Sequence, residues 1–228
     1  MLIAIFLIII VILSAAVHEY AHGWMAWRLG DNTAKNEGRL TLNPLKHLDP
    51  VGSVLLPLLL TITGANFFIA WAKPVPYNPY NLRDRRYGEL KVALAGPATN
   101  IILALILGIF TRFSPLAGEM KLALLSGFLL RDSAAVTTLT AGSLLGGLTL
   151  VAMMVCLVNL GLALFNLIPI PPLDGSKILA AFLPDQLHER FLQIDRYGFI
   201  LLVILLMSGV LDFLGSIIFF IFRVLTGI

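Results

Sequence analysis

The chain has 228 residues, of which 58% are hydrophobic and 13% charged, with a net charge of +3. Its mean hydropathy of +0.92 sets it apart from soluble domains, in which about a quarter of residues carry charge, and makes it an integral membrane protein. The basic residues cluster beside apolar stretches without interleaved stacking aromatics, so the charge fits membrane topology and argues against nucleic acid.

Uncharged stretches long enough to cross ~30 Å of hydrocarbon as a helix recur along the chain, which excludes a barrel of short alternating strands. The expected fold is an all-α polytopic bundle of about 4–6 membrane segments, forming one membrane-embedded domain over residues 1–228. The first segment runs from Leu2 to about Leu29. It lacks a positive n-region, and its apolar character resumes through Trp24, Met25, Ala26 and Trp27, so it reads as a retained span and not as a secretion signal.

The second segment, Val51 to Ala70, contains Gly52, Pro57 and Gly64 and is expected to be re-entrant. Arg28, Lys35, Arg39 and Lys46 precede it, and Lys73, Arg83, Arg85, Arg86 and Lys91 follow it. A true crossing would put one basic flank outside, against the positive-inside tendency, whereas re-entry keeps both in the cytoplasm and places the N-terminus outside. Gly38–Leu42 and Phe67–Ile69 favour short β-strands near the cytoplasmic face, and the prolines of Lys73–Pro79 require extended chain. Leu90–Phe110 then runs outward and Leu144–Leu167 returns, delivering Pro169–Gly175 to the cytoplasmic side. Ser208, Gly209, Asp212 and Gly215 interrupt the last segment, Tyr197–Phe222, leaving one long helix or a helix and a shorter piece. The single cysteine, Cys156, has no intramolecular partner and reads as a small buried hydrophobe.

Chemistry concentrates at the end of the first segment. His18-Glu19-Tyr20-Ala21-His22 is an HExxH sequence, and a spacing of four puts both imidazoles on one helix face, about 40° apart, where two nitrogens can meet one zinc ion. Glu19 lies a step round, where a carboxylate can reach the water that the metal activates. At about 1.5 Å per residue His18 lies roughly 26 Å along the helix, still within the hydrocarbon. Ionisable groups at that depth require pairing, a metal or a wet cavity. A catalytic zinc takes three protein ligands, and the candidates for the third are His47, His188, Glu37, Asp49, Asp174, Glu189, Asp195 and Asp212. Asp174 is favoured because Pro169, Pro171 and Pro172 break the helix before it and Gly175 follows. The alternative for Asp174 is an N-cap on a helix starting near Ser176.

Three motifs together resemble the site-2 protease family of intramembrane zinc metalloproteases. They are His18–His22 in the first span, Ala95-Gly96-Pro97-Ala98-Thr99-Asn100 in the third, and Phe165–Gly175, containing Asn166 and Asp174, after the fourth. The resemblance implies that Asp174 is the third zinc ligand, that one Zn2+ is held per chain, and that Asn166 contacts substrate or the oxyanion. Asn100 is a further candidate substrate contact, set against a packing kink at Pro97. For Asn166 the bland alternative is a cap or an interhelical hydrogen bond. No stretch resembles a PDZ or CBS domain, so the chain looks like a core-only member, with an accessory regulatory protein as one candidate source of substrate recognition.

The function so implied is hydrolysis of peptide bonds within or near the transmembrane helices of single-span proteins, in a prokaryotic inner membrane, with the active site towards the cytoplasm. An unwound substrate could add to the edges of Gly38–Leu42 or Lys73–Pro79. The competing classes are a metal transporter, which predicts ligands repeated in related halves, and an inactive membrane scaffold, which has no use for the general base Glu19.

Overall fold

The structure is a computed structural model that describes residues 2–55, 59, 62, 71–84, 86–209 and 212–228. Its elements are almost entirely helical, as expected for a chain whose main-chain polar groups must be satisfied without water. α1 (Leu2–Arg28) and the short α2 (Thr33–Asn36) come first, and α3 (Gly88–Phe113) follows an irregular stretch. Next come α4 (Gly118–Leu129), α5 (Ser133–Thr140) and α6 (Leu144–Asn166). α7 (Asp174–Ala180), α8 (Asp185–Met207) and α9 (Asp212–Thr226) complete the chain.

Among the described residues three helical stretches are long and apolar enough to cross a membrane: Ile5–Arg28, Gly88–Phe113 and Leu144–Asn166. Tyr197–Met207 and Asp212–Thr226 make a fourth only if this pair, bent by 78°, counts as one broken span. With the bent pair the described residues thus supply four segments, the lower end of the expected 4–6. The second segment contributes a π-helical turn at Pro50–Leu55; the rest of Val51–Ala70, apart from residues 59 and 62, lies outside the described residues, as does the strand expected at Phe67–Ile69.

The other expected strand, Gly38–Leu42, does not form. The Leu40 N–H and Arg39 N–H both turn back to the Ala34 carbonyl, closing a turn after α2 where a strand would need those donors for a ladder. An isolated bridge between Leu48 and Ala72 is the nearest approach to a sheet among the described residues. Lys73–Asn78 carries no helix, as its prolines require, but the chain itself occupies several of its main-chain groups. The Arg39 guanidinium donates to the carbonyls of Lys73 and Pro74, and the Lys73 N–H donates to His47 O.

α1 and α3 pack antiparallel, and successive contacts fix their register. His22 meets the Val92 carbonyl, Gly96 abuts the His18 and His22 rings, and Ile10 and Ala104 share the apolar core. That core joins α1, α3, α4, α6 and α9 through Leu124, Phe128, Leu150, Met153 and Phe222. Faces turned away from it carry exposed Ile5, Ile8, Ile9, Ile102, Ile106 and Ile109, the composition a helix presents to lipid. After α6, a prolyl stretch with a cis Pro171–Pro172 peptide folds back so that α7 starts against the end of α6. A side chain at Gly175 would collide with the Leu167 and Ile168 carbonyls.

Candidate metal centre

Of the five candidates for a third ligand whose side chains are described, Asp174 is the one brought to the histidines. His18 Nε2 lies 3.0 Å from Asp174 Oδ2, His22 Nε2 lies 3.2 Å from the same oxygen, and the two Nε2 atoms are 3.0 Å apart. Asp174 is the first residue of α7 and makes no cap, since the N-cap position falls to Leu173. His47 is buried elsewhere, with Nε2 against the Thr41 carbonyl, and Asp49 accepts from the amides of Val51 and Gly52. Glu37 and Asp212 are exposed. The side chains of His188, Glu189 and Asp195 lie outside the described residues.

Three features of this triangle fit a zinc ion. Ligand atoms about 2.0–2.1 Å from one tetrahedral ion lie about 3.3–3.4 Å from each other, close to the observed edges. With both Nε2 atoms unprotonated, the site turns three lone-pair atoms towards one point, an arrangement that a shared cation satisfies. His22 Nδ1 donates to the Val92 carbonyl at 2.7 Å, which holds the proton on Nδ1 and leaves Nε2 free as a ligand. All three residues are buried.

Asp174 sits outside the spanning helices. Burial alone would raise the Asp174 carboxyl, but hydrogen bonds from His18 and His22 outweigh it and hold the group well below the usual carboxylate range.

Gly96 supplies the room. A Cβ there would stand 2.6 Å from His18 Nε2 and closer still to His22 Nε2. A glycine lets packed helices approach closely, and what approaches Gly96 is the ligand pair itself. Glu19 is partly exposed, and its Oε2 accepts from the Val75 N–H at 2.9 Å, so the extended segment after Lys73 lies across the site. Both the Val92 carbonyl and the Val75 N–H escape sequence reasoning, because main-chain groups carry no residue signature.

The two asparagines are placed differently. Asn166 ends α6, is half-buried and donates from Nδ2 to the Leu162 carbonyl of its own helix; the adjoining Leu167 carbonyl is the one that Gly175 packs on. Asn100 is fully buried, and among the described residues neither of its amide atoms has a partner.

A model of peptidase family M50 matches residues 5–208 of the chain. A Bacillus subtilis protein named putative zinc metalloprotease YwhC is 37% identical over 203 residues, which cover 89% of this chain and 80% of that one. A Mycolicibacterium smegmatis protein named putative zinc metalloprotease Rip2 is 30% identical over 213 residues, covering 92% and 70%. A Mycobacterium tuberculosis protein of the same name is 27% identical over 201 residues, covering 88% and 66%. No solved structure matches.

Proposed function

The chain belongs to peptidase family M50, and from that premise we propose that it is an intramembrane endopeptidase, cleaving single-span membrane proteins within or near their transmembrane helices. Zinc is its cofactor: the relatives carry the name putative zinc metalloprotease, and the proposed ligands are His18, His22 and Asp174. The observation that carries the reading is the convergence of these three side chains, from α1 and α7, with Glu19 next in sequence to His18. When bound, zinc supplies Lewis-acid activation of water and of the scissile carbonyl.

The chain's own residues divide the remaining work. Glu19 takes the proton of the attacking water and returns it to the leaving nitrogen. With Oε2 held by the Val75 N–H, Oε1 is the oxygen left for that transfer. Val92 fixes the tautomer of His22 through its carbonyl. Asn166 is the proposed contact to substrate or to the developing oxyanion, supported by its half-buried place beside the α6–α7 junction. Asn100 was a candidate for the same part, but its complete burial means that substrate could touch it only after α1, α3 and α6 part.

A helical substrate hides its carbonyls in its own hydrogen bonds, so it must unwind before cleavage. The lysines and arginines flanking Pro50–Leu55 support an inner-membrane protein with the site towards the cytoplasm, and the single domain 1–228 contains every residue invoked. The test pairs zinc content with cleavage of a model single-span peptide in detergent. Glu19→Gln is expected to retain zinc and lose cleavage, and Asp174→Ala to lose both. Cleavage by Glu19→Gln at the unaltered rate would sink the proposal.

A further inference from the structure

One turn deeper than the metal ligands, the bundle holds a polar layer with no evident use. The α1–α3 register that pairs His22 with Val92 and His18 with Gly96 sets Ser14 opposite Asn100. α6 adds Asn159 to the same layer, its Nδ2 donating to Ser14 Oγ at 2.9 Å. Ser14 is 5% exposed, and Asn100 and Asn159 are 0% exposed, although apolar side chains of Ile10, Ala104 and Met153 lie just beyond.

Four polar atoms here have no partner among the described residues: Asn100 Nδ2, Asn100 Oδ1, Asn159 Oδ1 and His18 Nδ1. The contrast between the two histidines is direct. His22 gives its Nδ1 proton to Val92, whereas the equivalent nitrogen of His18, which must carry a proton when Nε2 is a ligand, meets no acceptor among the described residues. Helical side chains lean towards the N-terminus of their own helix. In antiparallel α1 and α3, His18 therefore leans towards the Ser14 level while Asn100 leans towards Gly96. The Asn100 amide and the His18 ring thus each incline towards the other's level.

We propose that Ser14, Asn100 and Asn159 form a buried water site whose ordered water accepts the Nδ1 proton of His18. Such a water takes donors from His18 Nδ1 and Asn100 Nδ2 and gives its own protons to Asn100 Oδ1 and Asn159 Oδ1, a complement of bonds usual for water in protein interiors. Asn100 is thereby a positioning residue: it acts on the metal through the orientation of His18, as outer partners of metal-bound histidines do. Water is the occupant of this layer because it satisfies donors and acceptors together in a space closed to substrate.

The inference rests on His18 being a zinc ligand, and its test separates the two. Zinc affinity is measured on the full chain in detergent by competition with a chromophoric chelator. Asn100→Leu, similar in size and apolar, is expected to weaken zinc about 10- to 100-fold. Asn100→Ser, which leaves room for a second water, is expected to stay near the unaltered value, a rescue that loss of packing would not give. Should Asn100→Leu fail to fold, the same question is read from an experimental map of the zinc-loaded natural chain, in which a water within about 3.2 Å of both His18 Nδ1 and Asn100 is expected. Equal zinc affinity in the natural chain and Asn100→Leu, or a protein atom bonded directly to His18 Nδ1, would overturn the water site alone. A natural chain that binds no zinc would overturn the metal reading and the water site together.

Discussion

Towards the N-terminal end of α1 the bundle closes through Ile10, Ala104, Leu150, Met153 and Phe222, whereas two or three turns further along α1 its contacts with α3 and α7 run through imidazoles, a carboxylate, a glycine and a main-chain carbonyl. In lipid the first kind of contact gains little from the hydrophobic effect, since acyl chains are as apolar as leucine, and it holds by close fit. The second kind depends on a few polar atoms with fixed partners, each expensive to leave unpaired in a dry interior. The apolar half is thus a support that tolerates change by degrees, and the polar half a site that fails by single atoms. Damage to the two regions should separate: stability without metal affinity in one, metal affinity or turnover in the other.

The sharpest break is expected from Gly96→Ala. Its methyl would occupy the space between the ligand nitrogens, so zinc affinity should fall by more than about 100-fold, measured by chelator competition. In the apolar half, Met153→Ala removes a fully buried side chain and should lower stability by about 2 kcal/mol, at the low end for such truncations because lipid replaces part of the transfer term. Detergent unfolding reads that loss, and zinc affinity of the folded fraction should not move.

Smaller effects sharpen the comparison within the polar half. Val75→Pro deletes the N–H that Glu19 accepts and is expected to slow peptide cleavage about tenfold with zinc content unchanged, as for one hydrogen bond to a charged group. Asp31, buried after α1, accepts from Thr33, Asn78 and Asn81. Burial opposes its ionisation, but these bonds win and its carboxyl is lowered. With the folded value below the unfolded one, its contribution to stability is present above about pH 4 and is lost as pH falls through the lower, folded value. Asp31→Asn should therefore flatten acid unfolding below about pH 4 while leaving the neutral-pH response of cleavage in place.

What the residues disclosed in advance follows the same division. The pair His18 and His22 is local, four residues apart on one helix, and spacing alone predicts that it converges. Asp174 was legible only through its prolyl surroundings and the resemblance, since the contact spans 156 residues. The main-chain partners of Glu19 and His22 left no trace, because any residue carries an N–H and a carbonyl. The strand expected at Gly38–Leu42 failed for a similar reason: β-favouring composition does not show that the Ala34 carbonyl will take the donors of Arg39 and Leu40. The break in the last segment, by contrast, was legible at Ser208, Gly209 and Asp212, and the helices on either side of it are bent by 78°.

Zinc K-edge X-ray absorption on the detergent-purified chain tests most directly whether His18, His22 and Asp174 share one ion. Nitrogen and oxygen neighbours at about 2.0–2.1 Å, two of them imidazoles, are expected, with the signal lost in Asp174→Ala and kept in Glu19→Gln. A sulfur shell near about 2.3 Å, or an unchanged spectrum after replacing both His18 and His22, would contradict the site.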